Sequence, residues 1–320
     1  MNAENLFSID VNLVICLAVS WFIELALGSP RFIPKPSLLI ARFAKLSADR
    51  LLAFIERLKI RSAKAEKRAG VFLLIYIVLF SSIVTAVFLD LLRRLHPVFY
   101  YIFNALIISG VINTRAAADR AMSARKTLAR EDTDSIRLII ADISKNCLDG
   151  VLAPMLYAAL GVLLGIPAVL AAAYKTLAIL DSVVGHKSGE YLYLGWASAK
   201  ADDAMNFIPA RLCGLLLPLL APVCGTGAMG MARGFRATRE THAARVFSNN
   251  YISPNDAWPA AAFAGSLGIG LGGSGEAPIG DKSEVYAKEP EIEDIGKAIR
   301  LMFVASLAVL IICCAALLFL

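Results

Sequence analysis

Residues 70–92 read GVFLLIYIVLFSSIVTAVFLDLL, an apolar run whose single charge is Asp90. At 1.5 Å of rise per residue a helix of this length reaches about 35 Å, enough for the ~30 Å hydrocarbon layer of a bilayer. The run predicts a spanning helix, and the remaining chain reads as the rest of a helical membrane bundle. Upstream, residues 31–68 carry eleven Lys and Arg against Asp49, Glu56 and Glu66, while the tail before residue 9 has no basic residue. That asymmetry predicts a cytoplasmic 31–68 loop and an outside N-terminus. Leu39, Phe43, Leu46, Phe54, Ile55 and Leu58 recur there at roughly helical spacing, so an amphipathic helix on the inner membrane surface is expected. Residues 9–28 form the preceding crossing, with Asp10 and Glu24 near its ends.

Downstream, the turn Arg93–Pro97 separates the run from a shorter spanning candidate at 97–112. Residues 113–149 then read as two cytoplasmic soluble helices, with stripes Ala117, Ala121, Ala124, Leu128 and Ile136, Ile139, Ile140, Ile143, the second capped by Thr133 or Asp134. The 150–180 run breaks at Gly165-Ile166-Pro167, which predicts a hairpin or re-entrant pair. Residues 207–232, interrupted by Pro209, Pro218, Pro222 and Gly225, fit either a crossing or a dip and return. A polar, Gly-rich segment spans 233–296, and residues 298–320 make a last apolar helix. The fold class is therefore all-α: one membrane-embedded domain over 1–320, a polytopic bundle with cytoplasmic amphipathic helices.

Composition agrees: 58% of the 320 residues are apolar, and mean hydropathy is +0.66. The net charge of +6 is gathered in inter-helical segments, which speaks for membrane orientation and against nucleic acid as a partner. Cys16, Cys213, Cys224, Cys313 and Cys314 lie in or beside apolar runs without the spacing of a zinc or redox site, so buried thiols are expected. His96, His186 and His242 are too scattered for a metal site.

Polar clusters interrupt the apolar runs. They are Asn146–Gly150 followed by Ala153-Pro154; Tyr174-Lys175 with Asp181-Ser182 and Gly185-His186; Gly195–Ser198 with Asp202-Asp203, Asn206 and Arg211; and Ser253-Pro254-Asn255 with Trp258-Pro259. A charge at mid-bilayer costs about 2.5–3.5 kcal/mol on insertion scales, so Lys175 and Asp181 need water or a purpose. Interfacial snorkelling is the plain alternative for Lys175 and Arg211. Asp149, Asp181, Asp202 and Asp203 supply hard oxygens of the kind magnesium takes, and Lys175 and Arg211 suit phosphate. Gly225, Gly227, Gly230 and Gly270, Gly272, Gly275 match G-x-G-x-x-G without a preceding strand, and read as close helix packing and a turn. Polar residues cluster near helix ends rather than forming a file through the bilayer, which disfavours a transporter.

The strings NCLDGVLAPMLY, AYKTLAILDSVVGH, GWASAKADDAMNFIPARL and SPNDAWPAAAFAGSLG, with ELALGSPRFIP near residue 24, together resemble the cobinamide-phosphate synthase family in order and separation. The resemblance implies a multi-pass enzyme of the cytoplasmic membrane that uses ATP and magnesium to join an aminoalcohol phosphate to the propionate of adenosylcobyric acid. It implies membrane lipid, the corrinoid, the aminoalcohol phosphate and other cobalamin-pathway enzymes as partners. On it Asp149, Lys175, Asp181, Asp202, Asp203 and Arg211 are expected to be catalytic, with Asp181 and Asp202 on magnesium. Asn146, Ser182, Trp196, Asn206, Ser253, Asn255 and Trp258 are expected to bind substrate. Asp149, Asp181, Asp202 and Arg211 should then converge in one cavity. The chain departs from the family pattern at Ser29, Lys35, Lys145 and His186, and a non-catalytic sensor or assembly factor of the same fold is the alternative.

Overall fold

The computed structural model describes residues 9–28, 36–59, 62–128, 132–185, 189–244, 253, 255–271 and 288–320. Ser29, Lys35, His186, Pro254 and the glycines at 272, 273 and 275 lie outside the described residues. Every regular element among the described residues is helical, apart from an isolated bridge between Ile269 and Lys288. Among the described residues six helices are long and apolar enough to cross a membrane, and a shorter apolar one, α1 (Val11–Leu27), reaches about 26 Å.

The decisive run lies in α3 (Ala63–Leu95), and its ends follow from capping chemistry. Ser62 Oγ accepts the Ala65 N–H at 3.2 Å, Glu66 sits in the first turn, and Arg93 and Arg94 occupy the last. Phe72, Ile83 and Val87 are about 60% exposed (63%, 59% and 62%). A continuous apolar face of this extent requires lipid, since soluble surfaces rarely carry one. After His96 the chain reverses into α4 (Pro97–Val111), which Pro97 starts because its missing N–H is not needed in a first turn. Tyr101 donates to Asp10 Oδ2 at 2.8 Å and ties α4 to the start of α1.

The amphipathic helix expected near residues 39–58 is α2 (Pro36–Arg57), but its packed stripe differs. Ala44, Ala48, Leu52 and Ile55 are buried, while Leu39, Leu46, Phe54 and Leu58 are exposed. The small residues let α2 approach α3 and the end of α8 (Pro167–Val184), where Leu73, Ile77, Leu180, Val184 and Leu194 complete a small core. The larger apolar side chains are left facing outward, as a helix lying along lipid requires.

At the centre stands a continuous helix formed by α6 (Thr133–Asn146), a π-helical turn (Cys147–Leu152) and α7 (Ala153–Leu163). Ile136, Ile140, Ile143, Leu148, Val151, Leu152 and Met155 are fully buried in it. The expected boundary near residue 149 is absent: the polar string around Asp149 is carried inside the helix by the π turn, and the first arm of the hairpin begins at Thr133. The hairpin itself forms as expected, with Ile166 N–H bonded to Gly161 O at 2.8 Å and Pro167 opening α8. Between α4 and α5 (Thr114–Thr127), the Asn113 N–H donates to Gly150 O at 2.8 Å and joins the helix break to the π turn.

Residues 207–232 go out and turn back. α10 (Phe207–Leu220) ends in a short 3₁₀ turn, and α11 (Gly227–Ala244) returns against α12 (Ala257–Leu267). A Cβ at Gly230 would sit 2.8 Å from Ser266 O and one at Gly265 2.6 Å from Arg233 O, so these backbones touch as in small-residue membrane packing. The first glycine string therefore serves a turn and close helix packing. The last helix, α13 (Ile292–Phe319), closes the bundle against α1, α5, α6 and α7. No disulfide forms among the six cysteines, all of which are buried except the half-buried Cys314.

Candidate functional site

Where α6, the π turn, α8 and α9 (Trp196–Met205) meet, they enclose a polar cavity of about 210 Å³. Asp142, Lys145, Asn146 and Asp149 line one wall; Lys175, Asp181 and Ser182 line the second; Asp202 closes it. The first four residues are spaced 3, 1 and 3 apart, which puts them on one helix face. The cavity thus gathers four carboxylates and two lysines. Of the residues expected in the site, Asn146, Asp149, Lys175, Asp181, Ser182 and Asp202 are brought together here.

Each is held by specific contacts. Asn146 Oδ1 accepts from Arg120 Nη2 at 2.9 Å, and its amide donates to Asp142 O at 2.8 Å. Lys175 Nζ lies 3.1 Å from the Asn113 amide oxygen, once that amide is oriented so that its nitrogen donates to Ile112 O. Lys175 also faces the charge of Asp149. Asp149 Oδ1 is buried and has no hydrogen-bond partner. Asp202 Oδ2 accepts from Asn206 Nδ2 at 3.0 Å, and Asn206 Oδ1 accepts from buried Tyr174 at 2.8 Å. Tyr174 stacks on Tyr157 at 5.0 Å, so the Asp202 carboxylate is oriented by a buried chain of side chains. Asp181 lies in the last turn of α8, where its Oδ1 comes so close to Gly185 that a Cβ there would be 1.9 Å away. Only glycine leaves room for the carboxylate at that point.

Burial, then the negative charge of Asp181, raises the Asp202 carboxyl from its ordinary 3.8 to about 7. The folded protein consequently holds a proton on Asp202 between about pH 4 and 7 that the unfolded chain has released. Its contribution to stability is full below about pH 4 and is lost as pH rises through 7. Asp202→Asn should remove that penalty. Thermal unfolding in detergent should show the variant stabilised at pH 8, by at most about 4 kcal/mol, and unchanged at pH 4. An equal effect at both pH values would contradict the protonation account.

Asp203, Arg211, Ser253, Asn255 and Trp258 form a second cluster, and the expectation that Arg211 joins Asp149, Asp181 and Asp202 is corrected. The Arg211 guanidinium donates to Phe207 O at 2.7 Å and lies 3.4 Å from Asn255 Oδ1. It covers the Phe207 ring at 3.3 Å and faces Trp258 at 5.2 Å. Asp203 accepts from Ser253 Oγ at 2.7 Å, and its carbonyl accepts from Asn255 Nδ2 at 2.7 Å. Asp202 and Asp203 point apart because successive helix residues diverge by about 100°. Trp196 is 44% exposed, away from the cavity, with Lys67 Nζ 5.1 Å from its ring centroid.

Sequence reading missed Asp142, Arg120, Asn113 and Asp256. Asp256 pairs with Lys145 at 3.1 Å and links the second cluster to the cavity. The D-x-x-K-N-x-x-D spacing of residues 142–149 was the available signal. Among the described residues no three His, Cys, Asp or Glu side chains are arranged to hold a metal ion by themselves.

Fold and site together define a polytopic membrane protein with an acid-rich polar cavity between its helices. The family model for the CobD/CbiB protein matches residues 136–302, which include both polar clusters. The chain is 32% identical to the cobalamin biosynthesis protein CobD of Pelobacter propionicus over 92% of its own length and 93% of that protein. It is likewise 32% identical to the protein of the same name from Klebsiella pneumoniae (90% and 92%), and 30% identical to the cobalamin biosynthesis protein CbiB of Salmonella typhimurium (92% and 94%). The chain belongs to the CobD/CbiB family. No solved structure matches it.

Proposed function

We propose that this protein, a member of a family of cobalamin biosynthesis proteins, is the ligase that condenses an aminoalcohol phosphate with the propionate carboxyl of adenosylcobyric acid at the expense of ATP. The observation that carries the reading is the cavity: carboxylates that suit an ammonium group stand beside lysines that suit phosphate, in a space too small for a corrin. At about 210 Å³ it is below the roughly 300–1,000 Å³ of drug-sized pockets, so it fits the amine and phosphate groups while the corrin stays outside.

The chemistry assigns tasks to the chain's own residues. A free carboxylate is a poor acyl donor, and ATP converts it to an acyl phosphate. The aminoalcohol arrives as an ammonium ion and attacks only after losing a proton. Asp202, poised near neutrality beside Asp181, is the group to take it. As the C–N bond forms, the C–O bond to phosphate breaks, and Lys145 and Lys175 steady the departing phosphate. Magnesium suits this donor set: it is usually held by one or two carboxylates together with substrate phosphates, and Asp181 would supply the carboxylate while Asp202 stays free to take the proton. When bound, it would neutralise charge developing on those phosphates. Asp149, with its unpartnered oxygen, stands ready to accept a hydrogen bond from the ammonium group.

Complementation of a strain lacking the synthase, with Asp149→Asn and Lys175→Met tested beside the parent, checks the assignment in cells. Growth restored by the parent and lost with both variants is expected. Growth with neither form would favour a non-catalytic role.

On this reading the site opens to the cytoplasm, where ATP is found, and the N-terminus lies outside. Lys59, at the end of the basic α2 segment, reports the orientation. A cysteine placed there should resist a membrane-impermeant thiol reagent in intact cells and react after permeabilisation. Labelling in intact cells would reverse the topology.

A further inference from the structure

A second cavity of about 210 Å³ lies on the outer surface between α2 and α3, away from the acid-rich site. Leu51, Leu73, Phe54, Phe72 and Tyr76 make most of its lining, and Ser47 and Arg50 form its polar rim. Phe54, Phe72 and Tyr76 are 58%, 63% and 41% exposed, and the Phe72 and Tyr76 rings lie nearly parallel at 6.1 Å. Arg50 is exposed, and its side chain makes no ion pair or hydrogen bond with any described residue.

With α3 crossing a bilayer, the groove falls just inside its basic start, the level of a lipid headgroup and upper acyl chain. Lys64, Lys67 and Arg68 mark the polar start of α3. Phe72 and Tyr76 follow Arg68 by about 6 and 12 Å along the helix, at 1.5 Å per residue. Basic residues at the membrane surface attract anionic lipid at about 1 kcal/mol each, and a built pocket adds position to that attraction. The α2 helix contributes Arg42, Lys45, Arg50 and Arg57 against Asp49 and Glu56. Asp49 is turned toward the Tyr191 hydroxyl.

We propose that this groove is a binding site for one anionic phospholipid, its phosphate on Arg50 and Ser47 and an acyl chain along Phe54, Phe72 and Tyr76. The bound lipid would brace α2, whose adjoining face packs through Ala44, Ala48 and Leu52 onto Leu180, next to Asp181, and Val184, in the same turn.

The test is native mass spectrometry of the purified full chain titrated with phosphatidylglycerol or phosphatidylcholine, a readout that does not depend on the ligase reading. Phosphatidylglycerol should bind at one saturable site at least tenfold more tightly than phosphatidylcholine. Arg50→Gln should lose that preference, Phe54→Ala should weaken binding of both lipids, and Arg42→Gln, which removes the same charge from α2 outside the groove, should leave the preference intact. Equal binding of the two lipids would overturn the site. So would equal loss in Arg50→Gln and Arg42→Gln, because binding would then be diffuse surface attraction.

Discussion

Asp181→Asn should reduce amide formation by about three powers of ten while leaving the folded protein as stable as the parent or slightly more so. The two effects have opposite signs for a physical reason. Asp181 is in the last turn of α8, where a negative charge opposes the helix macrodipole by about 0.3–1 kcal/mol. It also repels Asp202 across the cavity. Removing the charge relieves both interactions. The same charge is what a magnesium ion or ammonium group would meet, and asparagine keeps the shape without it. Turnover measured across a magnesium titration, with thermal unfolding followed in parallel, separates the roles. Parental turnover at limiting magnesium would remove Asp181 from the site. Loss of both turnover and stability would make it a structural residue.

Gly195→Ala should lower turnover by about a hundredfold although the residue lies outside the cavity. Gly195 precedes α9 and donates its N–H to Tyr191 O at 2.7 Å. A Cβ there would lie 1.7 Å from Val184 O and 2.5 Å from the Val184 carbonyl carbon. Backbone atoms cannot yield to that contact by rotating a side chain, so the start of α9 must move away from the end of α8 by more than an ångström. Asp202 rides on α9 and Asp181 on α8, so the shift parts the two carboxylates. A displacement of that size costs about 10² in rate, and the overpacking about 1–3 kcal/mol of stability. Gly110→Ala is the comparison, since nothing lies within 4 Å of its Cβ position. Equal turnover in the two variants would show that the α8–α9 contact does not set the geometry.

Membrane spans were legible because a bilayer imposes length and polarity on a local stretch. Residues 70–92, the hairpin broken at Gly165 and the last helix could each be read without knowing their neighbours. The gathering of Asp149, Asp181 and Asp202 was expected from the family resemblance; the residues alone said only that Lys175 and Asp181, charged groups between apolar runs, need water or a purpose. The continuity of Thr133–Leu163 was hidden, since Asn146-Cys147-Leu148-Asp149-Gly150 has the composition of a break and the π turn that keeps it helical has no compositional mark. Arg211 and Asp203 were misplaced for a third reason. Asp203 adjoins Asp202 but points about 100° away from it around α9, and Arg211 rides on α10, whose packing against α12 no local pattern encodes. The packed face of α2 was obscured similarly: its contacts are made by Ala44 and Ala48, and the larger side chains that dominate a hydrophobic pattern face outward.

Amide formation by the purified protein tests the central claim most directly. In detergent supplemented with phosphatidylglycerol, the protein would be given ATP, magnesium, adenosylcobyric acid and an aminoalcohol phosphate, with corrinoid product and nucleotide hydrolysis followed together. The ligase account predicts an amide-linked corrinoid phosphate formed in step with ATP cleavage, with no amide and no more than about one ATP cleaved per protein when the aminoalcohol phosphate is omitted. Saturable binding of the corrinoid and the aminoalcohol phosphate by folded protein, with no amide formed over many hours, would contradict the account.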